Sequence, residues 1–331
     1  MRSIVQQVIV ITGASSGIGR ATALAAARRG ARLVLAARGV EALDGARREA
    51  EAFGADVIAV PTDVSDYAAV EALGAAAVAR FGRIDTWVNN AGVSVYGEFV
   101  DVDPAEFRRV IDVNVMGVAH GSRVALLQMR GQDGGGTIVN IASGLGDRSV
   151  PLQSAYSASK HAVVGFDEAL RVELQHGGVP VRVTTIKPAS IDTPFFRHAR
   201  AKTGVEPSPV PPVYDPDLVA AAILHAATHP VRELSIGGAG AALSSLEKIS
   251  PRLVDLQLRL VGYRSQQTDQ PTNGRPDNLD SSVPGPGSVR GGWGGRRLSV
   301  YTSAKMLSFV RPVVFGGAAV AGLLTSRSRR T

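Results

Sequence analysis

Tyr156 and Lys160 stand four residues apart in the stretch "YSASK", with only small residues between them. On a helix that spacing puts both side chains on one face, one turn apart. A cation beside a phenol favours the phenolate, so the pair has the makings of a proton donor tuned by its neighbour. An ordinary exposed helix pair has the same spacing, and only the rest of the chain separates the two readings.

A second group of residues points to a phosphate. "TGASSGIG" carries Gly13, Gly17 and Gly19 directly after the apolar run "VIVI". Glycines let the backbone turn tightly and approach a pyrophosphate, and the following helix offers free N–H groups at its positive end. The motif follows a predicted strand, opens a predicted helix and begins a βαβ unit, which is the context it needs. The end of the second strand bears on which dinucleotide. NAD-binding units place an acid there for the ribose hydroxyls, whereas this chain has Ala36-Ala37-Arg38. With no carboxylate to repel a 2′-phosphate and a guanidinium able to fork onto it, NADP(H) is the expected cofactor.

The elements that must position these groups alternate. Strands are predicted at 8–12, 32–37, 56–62, 84–90, 136–143, 181–188 and 233–238. Helices are predicted near 17–29, 40–53, 66–81, 104–130, 153–177 and 215–229. Continuous apolar strands between helices imply an α/β fold, a doubly wound parallel sheet (Rossmann fold) in a three-layer α/β/α arrangement, with ligands at the carboxyl ends of the strands. The catalytic domain is expected over 1–240. An amphipathic helical extension over 241–263 follows, with Leu246, Ile249, Leu253, Leu256 and Leu260 at alternating steps of three and four. Ser250-Pro251 reads there as an N-cap with proline at the first helical position. Residues 264–295, rich in Pro, Gly, Asn, Asp and Ser, read as linker or extended wrap, and 296–331 form a basic, apolar tail.

Composition narrows the function. The 331 residues are 45% hydrophobic and 20% charged, within the range of soluble globular proteins. There is no cysteine, which excludes disulfides, a thiol nucleophile and thiolate-held metals, and the six histidines show no metal-binding spacing, so no metal is expected. The net charge of +7 is local. From Ser281 onward there are eight basic residues and no acid, and subtracting that +8 leaves residues 1–280 at −1. A nucleic-acid partner is therefore not expected. "VIVI" is too short for a secretory h-region, so a cytoplasmic protein is expected. The apolar run 306–324 would reach about 28 Å as a helix, but Arg311-Pro312 interrupts it and "RSRR" follows. Peripheral membrane contact, docking on an apolar protein surface and true spanning are the three readings, in that order.

Six motifs then agree: "TGASSGIG", "NNAG" at 89–92, "NVMG" at 114–117, "NIAS" at 140–143, "YSASK" and "KPASIDTP" at 187–194. In this order the chain resembles the short-chain dehydrogenase/reductase family, in its short cofactor-first form, over roughly residues 5–240. The resemblance implies hydride transfer between NADP(H) and a ketone or aldehyde, or the reverse. Tyr156 would be the general acid, and Lys160 and the nicotinamide's charge would lower its pKa. Ser143 would hydrogen-bond the substrate oxygen, and Asn114 would bend its helix and hold a water that relays protons to the lysine. Cofactor contacts carried over are Gly13, Ser15, Ser16, Gly17, Ile18, Gly19 and Arg38; Asp63 and Val64 at the adenine; Asn90, Ala91 and Gly92; Tyr156 and Lys160; and Pro188, Ile191 and Thr193 at the nicotinamide. The chain departs from the family at Ala189, where glycine is usual. Residues 192–216 have the length and proline content of a lid. In it Phe195 and Phe196 suggest an apolar substrate and Arg197, Arg200 and Lys202 an anionic one, while Val95, Tyr96 and Phe99 are candidates for the opposite wall. A homo-oligomer through the helices holding Asn114 and Tyr156 is expected by resemblance. The alternatives are a non-catalytic NADP(H) sensor or scaffold, and a membrane-associated reductase of lipid-derived carbonyls.

Overall fold

Buried apolar runs form the centre of the molecule. In the computed structural model, which describes residues 1–238, 240, 246–247 and 249–308, β1 (Val8–Thr12) is buried at every residue. With β2 (Arg32–Ala37), β3 (Val57–Pro61), β4 (Thr86–Asn89), β6 (Gly136–Ile141), β7 (Val181–Pro188) and β10 (Glu233–Ile236) it makes a seven-stranded sheet in the order β10-β7-β6-β4-β1-β2-β3. Every pairing is parallel. Side chains alternate between faces, so Ile9 and Ile11 enter one core while Val8 and Val10 enter the other. The first core takes α1 (Gly17–Ala27), α2 (Val40–Glu51) and α8 (Pro216–Thr228). The second takes α3 (Tyr67–Phe81), α4 (Pro104–Ile111), α5 (Gly117–Met129) and α6 (Ser154–His176). β1 pairs with β2 on one side and β4 on the other. The strand order reverses there and opens a crevice at the carboxyl ends.

Two local features shape the site. A capping box of Asp103 and Glu106 starts α4, and the helix passes through a π-helical turn, Asp112–Met116, before α5. The combined stretch Pro104–Met129 is long and apolar enough to cross a membrane, yet it is a core helix carrying the buried Val110, Ala125 and Met129. Two short pairs lie outside the sheet. β5 (Val95–Tyr96) joins β8 (Arg200–Ala201) in parallel, and β9 (Val205–Pro207) joins β11 (Gln267–Pro271) antiparallel. Between them sits α7 (Phe195–His198).

The C-terminal part wraps the body. A helix, Pro251–Gln257, starts at Ser250 with proline at its first position and runs into a π turn, Leu258–Gly262. The predicted apolar stripe is not its packed face: Ile249, Leu253, Leu256 and Leu260 are exposed, and Val254 and Gly262 are buried instead. Packing is decided by the neighbour that Gly262 meets, Pro151. Residues 272–297 then run without regular structure over the sheet's carboxyl edge. A helix, Val300–Ser308, ends the described chain, held where the Thr302 hydroxyl accepts from the Gly237 N–H at 3.0 Å. The apolar tail from residue 309 lies outside the described residues.

Candidate active site

Ser143 leaves β6 and caps a short turn, its Oγ accepting from the Leu145 N–H at 3.1 Å. Tyr156 and Lys160 enter from the first turns of α6, and the pair shares a helix face that looks into a cavity, with Lys160 buried and Tyr156 half-buried. The Ser143 hydroxyl stands beside the Tyr156 phenol and pulls its pKa down. The Lys160 ammonium donates to the Ile141 carbonyl at 2.8 Å and lies 5.4 Å from the centre of the Tyr156 ring. Burial dominates both titrations. It pushes Tyr156 up to about 12, against the downward pull of the Ser143 hydrogen bond, and pushes Lys160 down to about 8. The expectation of a lowered phenol pKa is thus reversed in the protein alone. Desolvation outweighs the serine's hydrogen bond.

Asn114 sits fully buried in the π-helical turn. Its Nδ2 donates to the Val93 carbonyl and the Ser159 hydroxyl, both at 3.0 Å, and its Oδ1 accepts from the Val93 N–H at 2.9 Å. A residue that favours non-helical backbone bonding occupies the place where the helix changes pitch. It ties the segment after β4 to the helix that carries Tyr156.

These groups lie at one end of a cavity of about 800 Å³ that reaches the Gly13 turn. Every expected catalytic and cofactor residue lines it except Gly19 and Asn114, which lie behind its wall. Gly13 adopts φ +65°, and a Cβ on Gly19 would stand 2.2 Å from the Gly13 carbonyl oxygen, so the turn can close only on glycine there. Asn90 Nδ2 holds the same turn by donating to the Thr12 and Gly13 carbonyls at 2.9 and 3.2 Å. Asp63 pairs with Arg109 at 2.6 Å and accepts from Ser65. Burial would raise its carboxyl, but the Arg109 and Ser65 hydrogen bonds hold it below its usual value. Its remaining lone pairs suit an adenine amino group. Arg38 lines the cavity while its guanidinium donates to the carbonyls of Asn278 and Leu279.

At the substrate end Phe195 packs 5.4 Å from the Tyr156 ring, Phe196 stands 5.6 Å from Phe195, and Tyr96 closes the opposite side. Val95 belongs to the core and Phe99 to the surface, so neither lines the cavity. Nor do the lid cations face it. Arg200 and Lys202 pair with Glu106 at 3.2 and 2.7 Å, and Arg197 stacks over Trp293. Ala189, the family departure, lines the cavity with Gly240.

Several contributors escaped the sequence reading. Leu258 and Val261 of the extension and Ser265 and Gln266 just beyond it line the substrate end, and residues 282–288 line the cofactor end. Asp192, inside the "KPASIDTP" motif, accepts from the backbone N–H groups of Gly291, Trp293 and Gly295 at 3.0, 2.9 and 3.2 Å. The acids of "DNLD" opposite Arg200 were a usable signal; the glycine N–H groups had none.

Comparison with known proteins agrees with this geometry. The family model described as short chain dehydrogenase matches residues 7–204. The chain is 40% identical over 328 residues to the uncharacterized oxidoreductase YxnA of Bacillus subtilis (strain 168), covering 98% of this chain and 90% of that protein. Among solved structures, a short chain dehydrogenase/reductase from Burkholderia phymatum in complex with NAD superposes with a TM-score of 0.68 at 33% identity, over 81% of this chain and 99% of that one. An alcohol dehydrogenase from the archaeon Thermococcus sibiricus complexed with 5-hydroxy-NADP gives 0.60 at 30% identity, over 70% of this chain and 95% of that one. With the glycine turn, the Tyr156–Lys160 pair facing the cavity and the matched span of more than half its length, the chain belongs to the short-chain dehydrogenase/reductase family and is an oxidoreductase.

Proposed function

We propose that this oxidoreductase reduces an apolar ketone or aldehyde with NADPH, or runs the reverse oxidation. The observation that carries the reading is the Ser143–Tyr156–Lys160 cluster, its lysine buried, at one end of a cleft of about 800 Å³ that reaches the glycine turn. The cleft fits that cofactor. The Gly13–Gly19 turn leaves no room for a Cβ at Gly19, and the positive end of α1 faces the groove at Ile18, the Gly17 N–H being given to the Ser288 carbonyl. Gly13, Ser15, Ser16 and Ile18 would hold the phosphates and their ribose, Asp63 and Val64 the adenine, and Ile191 and Thr193 the carboxamide. The cofactor, when bound, supplies the hydride.

This chain's residues handle the proton and the oxygen. A phenol held near 12 is fully protonated at neutral pH, so Tyr156 has its proton to give to the carbonyl oxygen. Ser143, beside that phenol, would donate to the same oxygen as negative charge develops. Lys160 remains cationic below about pH 8 and would grip the ribose hydroxyls while favouring charge on the phenol oxygen. Asn114 fixes the separation of α6 from the segment after β4. Phe195, Phe196, Leu258 and Val261 give the substrate end an apolar lining.

The choice of NADPH rests on this chain's own residues, because solved relatives carry NAD in two cases and an NADP derivative in another. β2 ends without an acid, and Arg38 lines the cleft with N–H groups beyond the two given to Asn278 and Leu279. Oxidation of NADPH and NADH on a panel of apolar ketones and aldehydes tests both parts. We expect higher kcat/KM with NADPH, with the preference falling at least tenfold in Arg38→Ala. Preference for NADH in the wild-type protein would overturn the NADP assignment, and binding of either nucleotide without turnover on any carbonyl would favour the sensor reading.

A further inference from the structure

The segment from Asp277 to Gly295 is pinned at both ends and crosses the cofactor cleft between them. At its first end Arg200 binds Asp277 at 2.8 Å and Asp280 at 2.8 Å, and the Asn278 N–H donates to the His198 carbonyl at 2.8 Å. Leu279 is completely buried in the core shared by α3 to α6, and its carbonyl accepts from Arg109 at 3.1 Å and Arg38 at 3.3 Å. At the far end Arg290 binds Asp215 at 2.8 Å and Asp217 at 2.7 Å. Beyond it Asp192 gathers the three N–H groups of Gly291, Trp293 and Gly295.

Between these anchors residues 282–288 line the cleft. Ser282 lies against Gly39 where β2 turns into α2. The Pro286 carbonyl accepts from Arg20 at 2.7 Å, and the Ser288 carbonyl accepts from the Gly17 N–H at 2.9 Å, at the opening of α1. The span contains Pro284, Gly285, Pro286 and Gly287, with no acid to repel a phosphate. It therefore touches both helix openings that flank the adenosine and pyrophosphate half of the groove. Its far anchor, Asp192, adjoins Thr193 on the nicotinamide side.

We infer that this C-terminal strap is the outer wall of the dinucleotide site, and that cofactor enters and leaves only when the strap lifts. The inference rests on the nicotinamide-cofactor reading above. A wall pinned by ion pairs and carbonyl contacts, with a short glycine–proline span between, is built to release from its body without disturbing the floor. The anchors at Arg200, Arg38 and Asp192 belong to the lid segment, the turn after β2 and the nicotinamide loop respectively. One strap movement thus loosens every edge of the groove together.

The chain has no cysteine, so an introduced pair is free of competing thiols. A Cβ on Gly39 would lie 3.1 Å from Ser282 Cβ, within a few tenths of an ångström of the roughly 3.5–4.5 Å span of a disulfide. The Gly39 backbone, at φ −77°, accepts any side chain. In the full chain carrying Gly39→Cys and Ser282→Cys, NADPH is loaded before oxidation, and its release is followed by nucleotide fluorescence against its own reduced form, with NADH alongside. We expect the latched protein to release and take up NADPH at least tenfold more slowly, with reductant restoring both rates. Arg290→Ala, which frees the far anchor without entering the cleft, is expected to speed release several-fold. Equal exchange in the two redox states, or expulsion of preloaded NADPH on latching, would overturn the strap as a wall. Failure of the reduced protein to bind either nucleotide would overturn the cofactor reading itself, and the inference with it.

Discussion

The floor of the site and the strap above it are built by different physics. The floor is made of backbone that the sheet and helix cannot place otherwise: Ser143 stands two residues beyond a strand buried at all six residues, and Tyr156 and Lys160 occupy successive turns of one helix. Its charged group is buried and tied to a neighbouring carbonyl. The strap has no regular structure between Thr272 and Gly295. It is held by long-range pairs whose partners are partly solvated, with Arg290 41% and Asp280 64% exposed at the side chain. Buried, desolvated interactions resist salt and respond to single atoms, whereas partly exposed pairs are screened and individually weak. One region is suited to chemistry and the other to movement.

The largest expected effects fall on the floor. Tyr156→Phe removes one oxygen and should lower the reduction rate by about 10²–10⁴-fold while cofactor affinity changes little. Ser143→Ala should lower it by about 10²–10³-fold. Steady-state rates with NADPH titrations check both, and a Tyr156→Phe protein of undiminished turnover would remove the phenol from the mechanism.

A pH profile sharpens the contrast next. Lys160, buried and pushed down to about 8, loses its charge as the pH rises through that value. The phenol stays protonated to about 12, so the acid itself is not what is lost. Reduction should fall roughly tenfold per pH unit above about 8. Stability should move the other way. Between about 8 and the ordinary lysine value the unfolded chain holds a proton the folded protein has shed, so stability rises with pH in that window. Thermal melts and rates across pH 7–10.5 on one preparation would show the two opposite slopes, and parallel slopes would mean Lys160 is not the titrating group.

The smallest effect belongs to the strap. Exposed pairs contribute about 0.2–1 kcal/mol each, so raising salt from about 0.05 to 0.5 M should speed NADPH release by a few-fold through screening. Hydride transfer measured in a single turnover should not change. Salt-independent release would mean that Leu279 and the Asp192 backbone contacts hold the strap alone.

Much of this was legible in the chain. The apolar runs and glycine turn led directly to the strand ends, and the spacing of Tyr156 and Lys160 placed them on one helix face. Asn114 was readable as a poor helix former, and it stands in the π-helical turn. Other features were not legible. Arg200 and Lys202 carried charge suited to a substrate, but they share Glu106, almost 100 residues earlier in the chain, and Arg200 also holds Asp277 and Asp280 far downstream. The stripe from Ile249 to Leu260 had the periodicity of a packed face and is exposed among the described residues, because periodicity names a face without naming a neighbour. Composition alone left residues 264–295 between linker and wrap, since proline and glycine report local stiffness and freedom without reporting destination.

The sequence by itself determined the parallel sheet, its glycine cradle and the residues that handle the proton, because those depend on periods of two and 3.6 residues and on spacings of a few residues. Only the tertiary structure decided the pKa directions, the true partners of the lid cations and the path of the strap. Burial and long-range pairing arise when distant segments meet, and no local pattern encodes the distance between Arg38 and Leu279 or between Asp192 and Gly291.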